Sequence, residues 1–142
     1  MKAATKAPRP ILIVENSPEV RRALAHWLRL VGYNVLTAVD GSDALAKLRA
    51  QSKPCLILLD LHLPHSLEFR RMQLQNLRAS KIPLVVYSGL YDPRAGAKQL
   101  QAAAYFATPF DLDALQRVIE AHCKKYQRPP RRRAHNGNHS RQ

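Results

Sequence analysis

Long apolar runs are missing from this sequence of 142 residues. No segment approaches the roughly 20 apolar residues that a membrane-spanning helix needs, and the N-terminus lacks the apolar core of a secretory signal. These absences argue against a membrane protein and a secreted one, so we expect a cytoplasmic chain. The length allows one hydrophobic core and is too short for two ordinary ones, which predicts a single folded domain.

Cysteine is also scarce, since Cys55 and Cys123 are the only two in the sequence. Disulfides are rare in reducing compartments. We therefore expect two reduced thiols, and the sequence assigns them no function.

Acidic residues are absent from both ends. All ten lie between Glu15 and Glu120, whereas ten of the 23 lysines and arginines lie before Ile11 or after Cys123. The remaining 13 basic residues face ten acidic ones, so the net charge of +13 falls to +3 without the ends. The basicity is therefore expected to reside in two tails rather than in the folded part.

From position 126 onward the sequence has no apolar periodicity, which predicts a disordered tail. A run of three cations in it, Arg131, Arg132 and Arg133, is most often just solvated, but it could also contact nucleic acid or another polyanion weakly and without sequence preference. We divide the chain into a basic N-terminal segment (1–9), a folded domain (10–125) and a basic tail (126–142).

Strand and helix patterns alternate five times along the folded part. Short apolar runs predict strands at 11–14, 35–39, 55–60, 84–87 and 105–106, and helical patterns predict helices at 18–31, 42–49, 67–77, 93–103 and from 111 onward. In the last helix, Leu112, Leu115 and Ile119 are expected to lie on one face. This alternation predicts an α/β fold in which a parallel sheet carries helices on both faces.

Asp60 ends an almost wholly apolar run. A carboxylate at the mouth of a buried strand costs desolvation energy unless a metal, a cation or chemistry uses it. Ligands of open α/β sheets bind beyond the carboxyl ends of the strands. Polar residues also follow the first, fourth and fifth strands. We expect these residues to converge with Asp60 on one crevice: Glu15, Asn16, Ser88 and Thr108.

Two carboxylates and an amide around one crevice favour Mg2+, which takes oxygen ligands and keeps several waters. A carboxylate in such a site can act as a nucleophile towards phosphorus and form an aspartyl phosphate. A small hydroxyl such as that of Ser88 would then bind the new phosphoryl oxygens.

At this point the sequence resembles the receiver domain of two-component response regulators, from about residue 10 to residue 123. The resemblance is carried by Glu15 after the first strand, by Asp60-Leu61-His62-Leu63-Pro64, by Ser88-Gly89, and by Tyr105 with Pro109-Phe110-Asp111. It implies a flavodoxin-like sheet of five parallel strands in the order 2-1-3-4-5.

The resemblance also implies roles for single residues. Asp60 would be the phosphoacceptor, and Ser88 and Tyr105 would be the switch residues. A Mg2+ ion would be held by Glu15, Asn16, Asp60 and the backbone carbonyl of His62. The family usually has a cis peptide bond before the proline at position 109, which predicts one at Thr108-Pro109.

Two departures from the family pattern fall on this chemistry. Asn16 stands where the family usually has a carboxylate, so Mg2+ binding should be weak. Thr108 stands where the family has a lysine before Pro109. By analogy with the loss of one oxyanion donor, the absence of this lysine could cost about 3 kcal/mol of transition-state stabilisation, roughly a hundredfold in rate.

By this resemblance the chain is a stand-alone response regulator and not an enzyme. A histidine kinase or phosphotransfer protein would phosphorylate Asp60, and an unknown output protein would read the change on the fourth helix, fifth strand and last helix. The chain could equally be a receiver excised from a longer protein.

Other functions stay open. Asn16 and Thr108 favour a pseudo-receiver that signals by protein binding alone. A phosphatase of the haloacid dehalogenase kind is disfavoured, since it needs a second aspartate where this chain has His62. His62 and His65 are spaced like a transition-metal pair, but they lack a third ligand and are better interpreted as loop residues.

Overall fold

The computed structural model describes residues 7–50, 53–89 and 91–126. Five strands alternate with five helices: β1 (Ile11–Val14), α1 (Pro18–Leu30), β2 (Val35–Ala38), α2 (Gly41–Arg49), β3 (Leu56–Asp60), α3 (Ser66–Gln75), β4 (Leu84–Ser88), α4 (Arg94–Gln99), β5 (Ala104–Ala107) and α5 (Leu112–His122). All strand pairs are parallel, and their order is β2-β1-β3-β4-β5. The predicted fold class is confirmed.

The sheet has a hydrophobic core on each face, because neighbouring residues of a strand point to opposite sides. In β1, Leu12 and Val14 join one cluster, which includes apolar residues of α2, α3 and α4. Ile11 and Ile13 join the other cluster, which includes apolar residues of α1 and α5. Every residue of β1, β3 and β4 is buried, which explains why these strands read as continuous apolar runs.

The helices α1 and α5 begin at side-chain caps. Ser17 caps α1 by accepting a hydrogen bond from the backbone N–H of Val20, and Pro18 occupies the first turn. Asp111 caps α5 in the same way through the N–H of Ala114. These caps fix where each strand-to-helix loop ends, and the loops form the rim of the crevice.

The predicted end of the fourth helix was wrong. α4 ends at Gln99 rather than near 103, because Gln101 adopts a left-handed backbone conformation with φ of 53° and the chain turns there to pair Ala104 with Val85. In α5, Leu115 and Ile119 are fully buried, whereas Leu112 is 44% exposed. It is the first residue of α5 and lies beyond the sheet that covers Leu115 and Ile119.

The expectation of two reduced thiols was also wrong. Cys55 and Cys123 form a disulfide, with their Cα atoms 5.5 Å apart. Cys55 precedes β3 and Cys123 follows α5, and both belong to the core cluster shared by α1 and α5. The two thiols therefore meet on one face of the sheet although 68 residues separate them.

Short segments beyond the sheet are attached to it at its amino edge. The guanidinium of Arg9 donates to the carbonyl oxygens of Lys53 and Pro54, and the N–H of Tyr126 donates to the carbonyl of Gly32 at 2.6 Å. The predicted tail beyond Tyr126, with Arg131, Arg132 and Arg133, lies outside the described residues. Within the described ranges, no helix is long and apolar enough to cross a membrane.

Candidate functional site

Three predicted site residues lie together at the carboxyl edge of the sheet. Glu15 follows β1, Asp60 ends β3 and Ser88 ends β4, and these three strands are adjacent in the sheet. All three residues are buried, with exposed fractions of 3%, 9% and 2%. The structure therefore brings two carboxyl groups and a hydroxyl to one crevice, as their positions after apolar strands predicted.

Glu15 is held by donors on both carboxylate oxygens. The hydroxyl of Tyr87 donates to Oε1 at 3.0 Å, and the backbone N–H of Ser17 donates to Oε2 at 3.3 Å. Burial, and secondarily the neighbouring negative charge of Asp60, raise the pKa of Glu15. The guanidinium of Arg21 does not pair with the Glu15 carboxylate, because it donates to the main-chain carbonyl of Glu15 at 2.9 Å.

Asp60 is fixed by the backbone on either side of it. Its Oδ1 accepts a hydrogen bond from the N–H of His62 at 2.9 Å, and the N–H of Leu61 donates to the carbonyl of Tyr87 at 2.8 Å. In the described part of the chain, no lysine or arginine forms an ion pair with Asp60 or Glu15. The crevice thus concentrates negative charge that a bound cation would neutralise.

Ser88 and Thr108 lie at adjacent strand ends. The N–H of Thr108 donates to the carbonyl of Ser88 at 3.1 Å, and a Cβ placed on Gly89 would lie 2.7 Å from the hydroxyl oxygen of Thr108. The position that the family fills with lysine is therefore beside the predicted switch serine. The Thr108-Pro109 bond is cis, as predicted.

The remaining predicted residues lie at the rim or outside the crevice. Asn16 and His62 are exposed next to Glu15 and Asp60. Tyr105, the predicted switch aromatic, is 47% exposed on β5 and contributes to the raised pKa of the Arg94 guanidinium, whose main cause is its hydrogen bonds to Asp92. His65 lies 3.7 Å from Glu68 in a surface contact, consistent with a loop residue.

Sequence reasoning missed two tyrosines of the site. Tyr87 was predicted only as the last residue of the strand at 84–87, yet its hydroxyl reaches Glu15. Tyr91 lies over the β3 end, because its N–H donates to Ser88 Oγ at 3.3 Å and its hydroxyl donates to the Leu61 carbonyl at 3.0 Å. The available signal was a phenol at the end of an otherwise aliphatic strand, one residue before the polar Ser88.

The donor set fits a hard divalent cation held loosely. No described lysine or arginine forms an ion pair with the buried carboxylates of Glu15 and Asp60, and oxygen ligands are those that Mg2+ prefers. Within the described residues, no group of three or more histidine, cysteine or acidic side chains could hold a metal. Further ligands would have to be amide, carbonyl or water oxygens, which agrees with the weak Mg2+ binding predicted from Asn16.

A family comparison identifies this arrangement. Residues 11–120 match the response regulator receiver domain, which covers every strand and nearly all of the last helix. The chain belongs to the receiver family. Receiver domains are signalling modules of two-component systems, and they interact with histidine kinases or phosphotransfer proteins and with output partners.

Relatives differ in how much of their length this receiver spans. Protein PilG of Pseudomonas aeruginosa is 30% identical over 121 residues, which cover 82% of this chain and 88% of PilG. The transcriptional regulatory protein PrrA of Mycobacterium tuberculosis is 29% identical over 123 residues, which cover 85% of this chain but only 52% of PrrA. The chain therefore spans about half the length of several curated relatives.

Solved receiver structures superpose closely on this one. The receiver domain of a sensor histidine kinase from Pseudomonas aeruginosa PAO1, with a magnesium ion coordinated in its active site cleft, has a TM-score of 0.72 and 26% identity. That alignment covers 82% of this chain and 98% of the other. The chemotaxis response regulator CheY4 of Vibrio cholerae has a TM-score of 0.69 and 25% identity, covering 80% and 97% of the two chains.

Proposed function

We propose that this receiver accepts a phosphoryl group on Asp60 and signals through protein contacts. The observation that carries the proposal is the buried carboxyl group of Asp60 at the end of β3, beside Glu15 and Ser88, in a crevice whose charge no described cation pairs. Such a carboxylate is costly to keep in a fold that does not use it.

In the proposed reaction, a carboxylate oxygen of Asp60 attacks the phosphorus of a phosphohistidine or a small acyl phosphate. The new P–O bond forms as the bond to the leaving imidazole nitrogen or acyl oxygen breaks, so the phosphoryl group is transferred without hydrolysis. The N–H of His62 already donates to Oδ1 of Asp60, which leaves Oδ2 as the better placed nucleophile. Ser88 at the neighbouring strand end would bind a phosphoryl oxygen of the product.

The residues that would hold Mg2+ are the carboxylates of Glu15 and Asp60, the side chain of Asn16 and the carbonyl of His62. When bound, the ion supplies positive charge next to the incoming phosphoryl oxygens. Because Thr108 offers no cation on the other side of Asp60, this chain would depend on that charge more than a receiver with a lysine does.

The test is incubation with acetyl phosphate and Mg2+ followed by intact-mass measurement. We expect one phosphoryl addition in the native chain and none in Asp60→Asn. The matched control is Asp92→Asn, because Asp92 is exposed near the start of α4 and, among the described residues, forms its ion pair with Arg94. Absence of the addition in the native chain would refute phosphorylation by this donor and favour the pseudo-receiver, in which Asn16 and Thr108 have removed the reaction and kept the binding surface.

The partners we propose are a histidine kinase or phosphotransfer protein as donor and one output protein, all in the cytoplasm. No catalytic turnover of its own is assigned to the chain. We also propose weak, nonspecific polyanion binding by the basic ends. It is supported by their ten cations and by the basic grooves from which the described ends emerge, whose lining includes Arg9, Arg29 and Lys53.

A further inference from the structure

The ring and the hydroxyl of Tyr87 lie in different environments. The ring is buried in the core cluster beneath α1 and α5, with an exposed fraction of 2%, and it packs edge-on against Phe110 with centroids 5.1 Å apart. The hydroxyl leaves that apolar cluster and donates to Oε1 of Glu15. The buried ring of Tyr87 therefore directs its hydroxyl towards the acidic crevice.

The backbone of Tyr87 is coupled to the same site. Tyr87 pairs with Asp60 in the β3–β4 register, and its carbonyl accepts the N–H of Leu61. One residue thus fixes the strand end that carries Asp60 and, through its side chain, the carboxylate of Glu15. The backbone N–H of Ser17 donates to the other oxygen of Glu15, and the Glu15 carboxyl group also shares a hydrogen bond with the side chain of Asp60. Each oxygen accepts from one N–H or O–H donor and keeps lone-pair capacity for a further ligand.

The hydroxyl remains a donor at ordinary pH. Burial, followed by the charges of Glu15 and Asp60, raises the pKa of Tyr87 well above its usual value. The donor is neutral, so it orients the carboxylate without cancelling the charge that attracts a cation. A lysine near Asp60 would do the opposite, and Thr108 has replaced that lysine.

We propose that Tyr87 is a positioning residue that holds the carboxylate of Glu15, through its hydroxyl, in the orientation that binds a divalent cation. The inference rests on the proposed Mg2+ pocket of the receiver and assigns a role to a residue outside its ligands. Partners that orient metal ligands in this way usually change metal affinity by 10–100-fold when they are removed.

The first test is Mg2+ affinity by calorimetry in Tyr87→Phe, which removes one hydroxyl and keeps the ring. We expect the dissociation constant to rise by about tenfold or more. The control is Tyr33→Phe. Tyr33 is equally buried in the same core cluster, at 3%, and its hydroxyl has no hydrogen-bond partner within the described part of the chain. This control should leave the affinity unchanged.

A second readout needs no metal. If the hydroxyl orients Glu15, Tyr87→Phe should shift the amide resonance of Ser17, whose N–H is bound to the other oxygen of the same carboxylate. Tyr33→Phe should not shift it. An unchanged Ser17 amide in metal-free Tyr87→Phe overturns the positioning role.

A double-mutant cycle separates positioning from a general folding defect. It is measured in an Asn16→Asp background, whose extra carboxylate raises the affinity into a measurable range. The effect of Tyr87→Phe should vanish once Glu15→Gln is present, because the hydroxyl acts through that carboxylate. An effect of equal size with and without Glu15→Gln overturns the inference in favour of unspecific destabilisation.

The possible outcomes separate the role of Tyr87 from the existence of the Mg2+ pocket. If neither the native chain nor Asn16→Asp binds Mg2+, the metal pocket and the role of Tyr87 are both refuted. If both bind and Tyr87→Phe binds as well as or better than the native chain, only the role of Tyr87 is refuted.

Discussion

Thr108 stands where receivers of this family usually have a lysine. Its hydroxyl lies against Gly89, next to Ser88, and its side chain is exposed, so a longer side chain has room to reach towards Asp60. We predict that Thr108→Lys speeds phosphorylation by acetyl phosphate up to about a hundredfold, by the roughly 3 kcal/mol that one oxyanion donor contributes. The measurement is the rate of phosphoryl addition by mass. Thr108→Met supplies a similar stem without charge and should not accelerate it; equal rates in both variants would contradict the argument.

Asn16 sets the charge of the metal pocket. Because Asn16 is exposed, a water-like dielectric applies, and a unit charge about 4 Å from a divalent ion then contributes about 2 kcal/mol. We therefore predict that Asn16→Asp tightens Mg2+ binding more than tenfold in a calorimetric titration. Gln99→Glu adds the same charge at the end of α4, which leads towards the amino end of β5, and should change little. Similar gains in both variants would mean that net charge, not this pocket, attracts the ion.

Which site residues could be predicted from the sequence depends on what fixes their position. Glu15, Asp60 and Ser88 each follow an apolar strand, and parallel strands bring their carboxyl ends to one edge, so their convergence follows from topology. The hydroxyl of Tyr87 reaches Glu15 only because of strand register and the packing of its ring on Phe110. Neither is encoded in a local pattern, so this contact could not be predicted.

At the scale of elements, the disulfide joins the start of β3 to the end of α5. No local pattern predicts it, since contact between elements so distant along the chain depends on the finished fold. A cross-link that closes a loop of 68 residues removes chain entropy from the unfolded state worth about 4 kcal/mol. We predict that reductant lowers the free energy of unfolding by about that amount, measured by denaturant titration. The variant Cys55→Ser with Cys123→Ser should not respond, and two titratable thiols in the air-oxidised folded protein would contradict the prediction.

α3 is held to the end of α4 by Arg70, which is buried and forms no ion pair with a carboxylate among the described residues. Arg70 donates to the carbonyls of Leu100 and Gln101 and to Oε1 of Gln73, and burial lowers the pKa of its guanidinium. Gln73 in turn donates to the carbonyls of Ala79 and Ile82. The network therefore fixes the turn after α3 as well as the turn before β5.

Removing this network should cost stability. We predict that Arg70→Met lowers the free energy of unfolding by about 2 kcal/mol, because carbonyls left buried without donors cost that much. Its neighbour Arg71 is exposed, so Arg71→Met should change stability by no more than about 0.5 kcal/mol. Thermal or denaturant unfolding measures both. Equal effects of the two substitutions would show that the buried network contributes nothing beyond lost charge.

Several cations line two neighbouring grooves along α1. One groove of about 600 Å³ is lined by Arg21, Arg22, Ala25, His26, Arg29 and Thr37, and Arg29 also lines the groove of about 1120 Å³ that contains Arg9 and Lys53. None of the ion pairs among the described residues involves these cations. The basic surface thus runs from Arg21, beside Glu15, to the edge where the described ends of the chain leave the sheet.

A further five positive charges lie beyond residue 126, and the sequence alone predicts what they should do. Arg128, Arg131, Arg132, Arg133 and Arg141 lie on a stretch with almost nothing apolar to bury. On duplex DNA each neutralised phosphate contributes a slope of about −0.9 in log K against log salt, so about five contacts lose on the order of three powers of ten in affinity over a fivefold rise in salt.

A chain ending at Lys125 should keep its fold and its phosphorylation and lose most of this DNA binding. Replacing Arg131, Arg132 and Arg133 with serine in the full chain should reduce the slope by about 2.7, whereas Lys98→Ser, on the exposed side of α4, should not reduce it. If truncation leaves DNA affinity unchanged, the polyanion site is the groove along α1, and the basic end is not the binding segment.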